Sequence, residues 1–466
     1  MCGFPLAHLD KYLKVLVQQN NRFVAMCEEF PRFSAKGVKE FDRRVARVIT
    51  PGTLIDEPFL NPFENNYLLA ISCAYSVGSS RDCSVGLAWI DVSTGEFFSR
   101  PSTYDSLRDE LAGIGPREVV LDKRLETRKS HPVLQALTEE DNFVSFVSLS
   151  EDMNGKNVSS SAIRRRDTPD VPALPTEEVP ILPAISLSLQ ETTAIDILTT
   201  YLHTNLLEHM PTLPSPNQEG TSSRMQIDSH TIKALEIREG IREGGTKGSL
   251  LNVIKRTITT GGTRLLARWL CEESFSTVIC NLTKLSGSPS TSIAEINARQ
   301  SVVAFFYTRP HFGADIAGAL ASVEDIGRIV QRFIMGRGDP SDLLAVNRTI
   351  RMWSTVVKRF NEERTMEAAE LTQLHEADWA SIDSLVSRMV DLRDLSKRIA
   401  MALDDDYSSS SGDSSTSEDL QANDDKLANA PPNNADSTLW RYGKWTIKPE
   451  YFVLLSLSAH VLRKFE

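Results

Sequence analysis

The sequence predicts a multidomain protein that is α/β in its amino-terminal part and all-α in the remainder. Two β-rich runs, 65–76 and 85–99, are separated by a Gly/Ser turn, as in an antiparallel meander. From residue 186 onward, apolar residues recur at helical spacing along almost the whole chain. At about 150 residues per domain, a chain of 466 residues suggests about three domains.

Composition and charge are those of a soluble globular protein, with 41% hydrophobic and 24% charged residues. The net charge of −11 does not favour nucleic acid, but most of it is local. Residues 404–436 carry a net −8 and leave −3 for the rest, so locally basic surfaces remain possible. The stretch 404–438 has almost no apolar residues and is predicted to be disordered.

Cysteine usage and the chain ends exclude several classes of protein. The six cysteines contain no CxxC pair, which argues against a zinc ribbon or disulfide framework and favours a reducing compartment. No apolar run approaches the ~18 residues of a membrane span. The amino terminus has neither a secretory signal nor the look of a transit peptide. It enters a patterned helix at once, and the carboxy terminus has no cap, so both ends are expected to be cuts in a longer protein.

The first predicted piece is residues 1–53, a compact α/β segment with a net charge of +4. An apolar stripe ending at Val17 predicts a helix, which the Asn pair after it ends in a turn. RFVAMCEEF follows as a short strand. FDRRVARVIT then alternates, which predicts that Val45 and Ile49 share one face, before a TPGT turn.

The order strand, strand, helix, strand over 54–150 predicts a second, α/β domain, with its helix at 104–112. Residues 150–185 hold a Ser cluster and several prolines, and they are interpreted as a loop or linker. The arginine triplet 164–166 is either a nucleic-acid patch or part of a solvated loop, and the loop is favoured because short basic triplets are common.

The all-α region beyond 186 is interpreted as a helical bundle or solenoid-like array without a fixed repeat. Ser249 is positioned to cap a helix, which the Gly pair at 261–262 is expected to break. The apolar stripes of the later helices, which include Ile293 and Val303, are interpreted as core positions rather than cofactor sites.

Motifs for nucleotide, metal or nucleophilic chemistry are not found in the sequence. There is no GxxxxGK[ST] loop, and GGTKGS at 244–249 has neither the spacing nor the preceding buried strand of a phosphate loop. The histidines are scattered without HExxH, and no GxSxG elbow occurs. On chemistry alone, the chain is a multidomain binding or scaffold protein.

Two acidic motifs are interpreted structurally. Asp91 ends a strand, and Glu96 is the only acid nearby; because a two-metal nuclease needs several convergent acids, a turn role is favoured for Asp91. The RGD triplet within 336–339 is predicted to end one helix and begin the next.

An ordered set of motifs lies between residues 3 and 335 and begins with GFPLAHLDKYLKVLVQQNNRFVAMCEEF, RRVARVITPGTLIDE and LAWIDVSTGEFF. The first two resemble the end of the mismatch-recognition domain of the MutS family, and the third resembles its connector hairpin. LEIREGIREGGTKGSLLNVIKRTITTGGTRLLARWL, INARQSVVAFF and VEDIGRIVQRF resemble its core domain. The sequence around FDRRVARVITPGTLIDE is most similar to the fungal mitochondrial branch of the family.

The resemblance implies the remnant of a mismatch-recognition domain at 1–53, an RNase H-like connector domain at 54–175 and a helical core/lever domain at 186–466, with 404–438 as an insertion. It also implies DNA mismatch repair and mismatched-DNA binding within an ATP-dependent clamp. Duplex DNA, a homodimer or other MutS-type subunit, and a MutL-type protein at the connector would be the partners. The implied compartment is the mitochondrion, with the nucleus as the alternative.

ATP and Mg²⁺ are cofactors of the full-length family, and the Walker A loop that would bind them does not occur in this sequence. No cofactor, metal ligand or catalytic residue is therefore assigned, and we expect no ATP hydrolysis by the chain alone. The family's mismatch wedge, a Phe-x-Glu whose Phe stacks on the mispaired base, would lie upstream of Gly3. We therefore expect little preference for a mispair.

The candidate DNA contacts fall at a predicted helix start and on the following strand. They are Gly3, Phe4, Pro5, His8, Lys11, Arg43, Arg44 and Arg47. Backbone amides at a helix start, with cations nearby, can hold a phosphate; alternatively, Phe4 and Pro5 merely cap and staple the helix.

Two other functions remain open. One is a connector/core scaffold that binds protein partners without gripping DNA, and the less favoured one is an RNase H-like nuclease using Asp91. Salt-dependent binding to duplex DNA distinguishes the hypothesis of a DNA-binding MutS-type protein from the scaffold hypothesis.

Overall fold

The computed structural model forms two compact units, residues 1–303 and 304–466. It describes residues 3–5, 8–33, 39–55, 58–73, 84–128, 130–149, 187–218, 227–242, 245–271, 293–370, 376–387 and 390–402. The predicted linker at 150–185, the arginine triplet within it and the acidic stretch 404–438 lie outside the described residues.

The amino-terminal part combines a short helix, a hairpin, and a sheet with helices around it. Its strands are β1 Val24–Phe33, β2 Lys39–Ile49, β3 Tyr67–Ser72, β4 Ser84–Asp91, β5 Glu96–Thr103, β6 Glu118–Asp122, β7 Val144–Val147 and β8 Asn217–Gln218. Its helices are α1 Leu9–Leu13, α2 Leu107–Ile114, α3 Pro132–Glu139, α4 Leu189–Leu206, α5 Ser229–Ala234, α6 Leu250–Ile254 and α7 Thr260–Cys271. From residue 293 the described elements are helices, namely α8 Ile293–Thr308, α9 Pro310–Leu320, α10 Ile326–Ile334, α11 Pro340–Glu370, α12 Glu376–Val386 and α13 Arg393–Ala402.

The first helix ends where the Asn pair predicts. It continues from α1 as a π-helix over Lys14–Gln19, and Asn21 adopts a positive φ of 49°. Leu13 and Val17 are buried against the end of β2, in a small core cluster with Leu54. This core fixes the helix to the hairpin.

A β-bulge in β2 corrects the predicted alternation. Arg47 and Val45 pair with consecutive residues of β1, so Ala46 is an extra residue in the ladder. A bulge reverses the alternation of side chains beyond it. Ile49 is therefore fully buried while Val45 is 40% exposed, and the prediction that the two share a face is wrong.

The central sheet has the strand order β7-β6-β3-β4-β5-β8. β3, β4 and β5 form the predicted antiparallel meander, whereas β6 runs parallel to β3, and β7 runs parallel to β6. This arrangement agrees with the RNase H-like connector that the resemblance implies. Helix α3 and strand β7 are not predicted from the sequence, because both are short and give little periodic signal.

Helices cover both faces of the sheet. Alternate residues of β3 and β4 share a core cluster with α2 and α3, while α4 contacts the same strands from the face on which Gly86 lies. From its sequence, α4 is predicted to belong to the all-α region. Its apolar stripe indicates that one face is buried, but it does not indicate that the sheet is what covers this face. The sheet also continues to β8, beyond the predicted limit of 175.

Gly86 is where α4 approaches the sheet most closely. A Cβ atom there would lie 2.1 Å from the carbonyl carbon of Gln190, and the Ser72 hydroxyl donates to the Gln190 side chain at 3.0 Å. We expect Gly86→Ala to lower the free energy of unfolding by about 2 kcal/mol, since backbone must move to relieve the overlap. Urea unfolding tests this, with Gly261→Ala as the control because its Cβ would meet nothing closer than 3.8 Å. Equal losses of unfolding free energy in the two variants would contradict the close approach of α4 to Gly86.

The second unit is built on the 31-residue helix α11, which is about 46 Å long at 1.5 Å per residue. Helices α9, α10 and α13 contact it. Phe312 packs edge-to-face against Phe305 and Phe360, and Phe305 packs against Trp379. The prediction of an all-α region is confirmed for the described residues from 293 onward, whereas the region predicted to begin at 186 also contains the short strand β8.

Two predicted core positions of α8 are wrong. Ile293 is 75% exposed and Val303 is 68% exposed. Apolar residues occur all round this helix, so its sequence does not single out one buried face.

Predicted helix ends are largely confirmed. The Ser249 hydroxyl accepts a hydrogen bond from the Asn252 N–H at 3.2 Å, as expected of a cap. Gly336 ends α10 with a φ of +70°, and Asp339 accepts from the Asp342 N–H at 3.0 Å at the start of α11. The Gly pair at 261–262, however, lies in the first turn of α7 rather than breaking a helix.

None of the helices in the described part of the chain is long and apolar enough to cross a bilayer. Cys27 and Cys73 are both free thiols.

Candidate functional site

The first helix starts later in the chain than the candidate phosphate contacts Gly3, Phe4 and Pro5. The helix begins at Leu9, so the Gly3 and Phe4 amides are not its amino-terminal donors, and Pro5 has no N–H to donate. The His8 N–H donates to the Pro5 carbonyl at 2.9 Å in a turn.

Phe4 packs on Tyr12, with 4.5 Å between the ring centroids. This contact agrees with the stapling alternative. His8 and Lys11 are exposed, so they remain accessible to a ligand.

The three predicted arginines of β2 are in different environments. Arg43 is exposed and ion-paired with Glu29 across the hairpin at 2.7 Å. Arg44 is exposed and lies opposite Glu28 in the ladder. Arg47 is only 6% exposed, because it follows the bulge, so it is not an accessible phosphate contact.

The strongest built feature lies just after β2, where the chain enters the sheet. Thr50 and Thr53 form a capping box around the 3₁₀ turn Pro51–Thr53. The Thr50 hydroxyl donates to a carboxylate oxygen of Glu118 at 2.6 Å, and the Gly52 N–H donates to the same oxygen at 2.8 Å. The TPGT exit of the amino-terminal piece is thereby bonded to the first residue of β6.

Glu118 accepts two further hydrogen bonds on its other oxygen. The hydroxyls of Ser145 on β7 and Tyr201 on α4 each donate at 2.5 Å. Burial, together with the negative charge and hydrogen bond of Glu118, raises the pKa of Tyr201, so that hydroxyl keeps its proton. Glu118 is completely buried, and within the described residues its hydrogen-bond partners include no lysine or arginine.

We call Glu118, Thr50, Gly52, Ser145 and Tyr201 the Glu118 junction. It joins the amino-terminal piece, two strands and α4 at one point. Sequence reasoning missed it because its members are 27 to 83 positions from Glu118 along the chain. The available signal was an acid at the start of the buried run EVVLD, since a buried carboxylate requires partners.

A second junction attaches the start of the all-α region to the sheet domain. The Ser229 N–H donates to the Asp109 carboxylate at 2.8 Å, and Lys233 pairs with Glu140 at 2.7 Å. Arg238 donates to the Gly113 carbonyl near the end of α2. The LEIR segment of the sequence is therefore docked on α2.

The other chemical candidates take structural roles. The Asp91 carboxylate is completely buried and accepts from the Ser93 N–H at 2.9 Å and the Asn66 N–H at 3.0 Å. This is the turn role that the sequence predicts. Among the described residues, no group of three or more His, Cys, Asp or Glu side chains has metal-binding geometry.

Donors at and after the end of the GGTKGS segment, which is described over 245–249, are bonded within the protein. The Leu250 and Leu251 amides that follow it donate to the carbonyls of Glu236 and Ile237 at 2.8 and 3.0 Å. The Ser249 hydroxyl donates to the Thr246 carbonyl at 2.7 Å. These donors are therefore already engaged by carbonyls of the chain itself.

Comparison with protein-family models gives three matches in chain order. MutS domain I matches residues 1–58, MutS domain II matches 66–161 and MutS domain III matches 230–430. Together they cover well over half of the chain.

Curated relatives give the same result. A DNA mismatch repair protein MutS from Rhodopseudomonas palustris strain HaA2 is 35% identical over 350 residues, which is 74% of this chain and 34% of the relative. Another, from strain BisB5, is 32% identical over 87% of this chain and 39% of the relative.

The MutS of Paracoccus denitrificans is 31% identical over 84% of this chain and 40% of the relative. The chain thus spans between a third and two fifths of the length of these relatives. With three MutS domains matched in order, the chain belongs to the MutS family.

Proposed function

We propose that this chain acts in DNA mismatch repair, as the part of a MutS-type protein that links a DNA-contacting piece to the helical core. The observation that carries the proposal is the ordered match of MutS domains I, II and III, together with relatives described as DNA mismatch repair proteins. In the whole protein, the chain would belong to an ATP-dependent clamp around mismatched DNA.

The two junctions support the linking role. The Glu118 junction bonds the end of the hairpin to the sheet, and the start of the all-α region is bonded to α2 of the same sheet domain. Well-packed elements of this kind transmit rigid-body displacements rather than absorbing them. A shift at the start of the core would thus be passed to the hairpin through the sheet.

The partners in this proposal are duplex DNA, a second MutS-type subunit in a homodimer or heterodimer, and a MutL-type protein at the sheet domain. ATP and Mg²⁺ would act in parts of the whole protein other than the described residues, because this sequence has no GxxxxGK[ST] loop. The proposed compartment is the mitochondrion, with the nucleus as the alternative.

A scaffold that binds protein partners without gripping DNA is the second candidate. It is favoured by the pairing of Arg43 with Glu29 and by the position of Arg44 opposite Glu28, since acids facing these cations oppose the approach of a phosphate. Exposed ion pairs are weak, however, at about 0–1 kcal/mol, so a phosphate can compete for the arginines.

Removing Arg43 and Arg44 tests the DNA role. We expect weak binding to duplex DNA with little preference for a G·T mispair over a matched duplex. Arg43→Ala with Arg44→Ala should weaken both to about the same extent, since phosphate contacts carry no base information. Fluorescence anisotropy with labelled duplexes measures this.

The matched control is Arg108→Ala with Arg117→Ala. It removes the same charge from two exposed arginines that pair with Glu139 and Glu64. Equal losses in the two double variants would show that only net charge matters. A tenfold preference of the unmodified chain for the mispair, about 1.4 kcal/mol, would contradict the expectation that this chain binds DNA through phosphate contacts alone.

A further inference from the structure

The Glu118 carboxylate is an unusual group to bury. It is completely shielded from solvent, and its described partners are four neutral donors. Burying a charge is costly unless hydrogen bonds compensate it, so each of these donors matters. Two come from the amino-terminal piece, and two come from β7 and α4.

Little room exists for the turn to sit differently on the sheet. A Cβ atom on Gly52 would lie 2.6 Å from the Leu68 side chain and 3.0 Å from Glu118. The Asn66 side-chain amide also donates to the Pro51 carbonyl at 3.1 Å. The turn Pro51–Thr53 is completely enclosed by these contacts, with its residues buried.

The hairpin itself leaves this point toward solvent. Its side chains over 41–45 are exposed, whereas those of Ala46 and Ile49, close to the turn, are buried. The hairpin contacts α4 and the 3₁₀ turn after it. The direction of the hairpin is therefore set near its base, where the Glu118 junction lies.

We propose that Glu118 is a positioning residue that latches the β1–β2 hairpin to the sheet domain, so that the hairpin presents its exposed cations at a fixed angle to duplex DNA. The latch is inferred from the hydrogen bonds and packing described above. Only the presentation of cations to duplex DNA rests on the proposed function. The four neutral donors hold the carboxylate, and the carboxylate holds the turn.

Glu118→Gln is the direct test, because glutamine keeps the shape and one acceptor. Its oxygen can serve Thr50 and Gly52 or the two other hydroxyls, but an amide nitrogen cannot accept at the remaining side. Hydrogen exchange of the full chain, followed by mass spectrometry, is the readout. We expect exchange over 41–53 to accelerate at least tenfold, while β4 and β5 change less than threefold.

Glu191→Gln is the matched control. Glu191 is also a buried carboxylate with neutral donors, since it accepts from the Ser188 N–H and from the Ser99 hydroxyl. Unlike Glu118, it lies near the start of α4, where Ser99 of β5 and Gln218 of β8 donate to it. We expect Glu191→Gln to leave hydrogen exchange over 41–53 unchanged relative to exchange in β4 and β5.

Tyr201→Phe is a milder second variant that removes one hydroxyl donor and no charge. Tyr201→Phe should accelerate hydrogen exchange of the same amides by a smaller factor. Equal acceleration of hairpin and sheet in the Glu118 variant, or the same hairpin response in the Glu191 control, would overturn the latch.

Duplex affinity of the Glu118→Gln chain separates the two proposals. A loss of affinity together with faster hairpin exchange supports both. Faster hairpin exchange with unchanged affinity supports the latch and contradicts the DNA role of the hairpin.

Discussion

Glu118→Ala is expected to lower the free energy of unfolding of the sheet domain by about 3–5 kcal/mol. The substitution leaves four donors inside the protein without their acceptor, and one of them, the Gly52 N–H, cannot rotate to find another. A cavity in place of the carboxylate adds to the loss. Native-state hydrogen exchange of the β3 and β4 amides in increasing urea measures this free energy.

The control for that measurement is Glu126→Ala. Glu126 is exposed and lies just after the 3₁₀ turn that follows β6, so a change within about 0.5 kcal/mol is expected. A loss below 1 kcal/mol for Glu118→Ala would show that the junction contributes little to stability, contrary to its geometry.

Trp379→Ala should have the largest effect in the second unit. Trp379 is 3% exposed, packs edge-to-face against Phe305 at 4.8 Å, and donates from its indole to Glu367 at 3.0 Å. The same Glu367 is hydrogen-bonded to Arg309, which lowers the pKa of that carboxyl below its usual value. Removing the indole thus empties a core position and also disturbs an ion pair.

We expect a loss of about 3–5 kcal/mol from Trp379→Ala, with α12 released first because Trp379 and Ile382 are the buried residues described on this helix. Urea unfolding followed by circular dichroism at 222 nm measures the loss. Trp353 on α11 is the matched control, because the same residue type is 36% exposed there and should cost less than about 1 kcal/mol. Equal effects of the two substitutions would contradict this packing.

The features that the sequence predicts correctly depend on neighbours within a few positions. Ser249 caps α6, Asp339 starts α11 and Asp91 holds a turn, and in each case the partner lies two or three residues away. Local geometry suffices for such motifs, because a short polar side chain reaches the amides of the following turn in any protein.

The features that sequence reasoning missed depend on the rest of the fold. The alternation in FDRRVARVIT does not indicate the bulge at Ala46. In the structure this bulge turns Val45 outward and Arg47 inward. Among the predicted DNA contacts, Arg43 is ion-paired with Glu29 on β1, and Arg47 is buried beyond the bulge. Glu118 is a similar case, since its partners approach from both sides along the chain.

Salt-dependent binding of the purified chain to a matched DNA duplex is the most direct test of the central claim, that this MutS-family chain contacts duplex DNA through phosphates. Each phosphate contact contributes about −0.9 to the slope of log K against log salt concentration. With a few contacts at the exposed cations of the amino-terminal piece, we predict a slope of about −2 to −4 between 50 and 200 mM salt, the range over which this effect is pronounced. Binding that is absent at the lowest salt concentration, or a slope near zero, would contradict the claim and favour the scaffold.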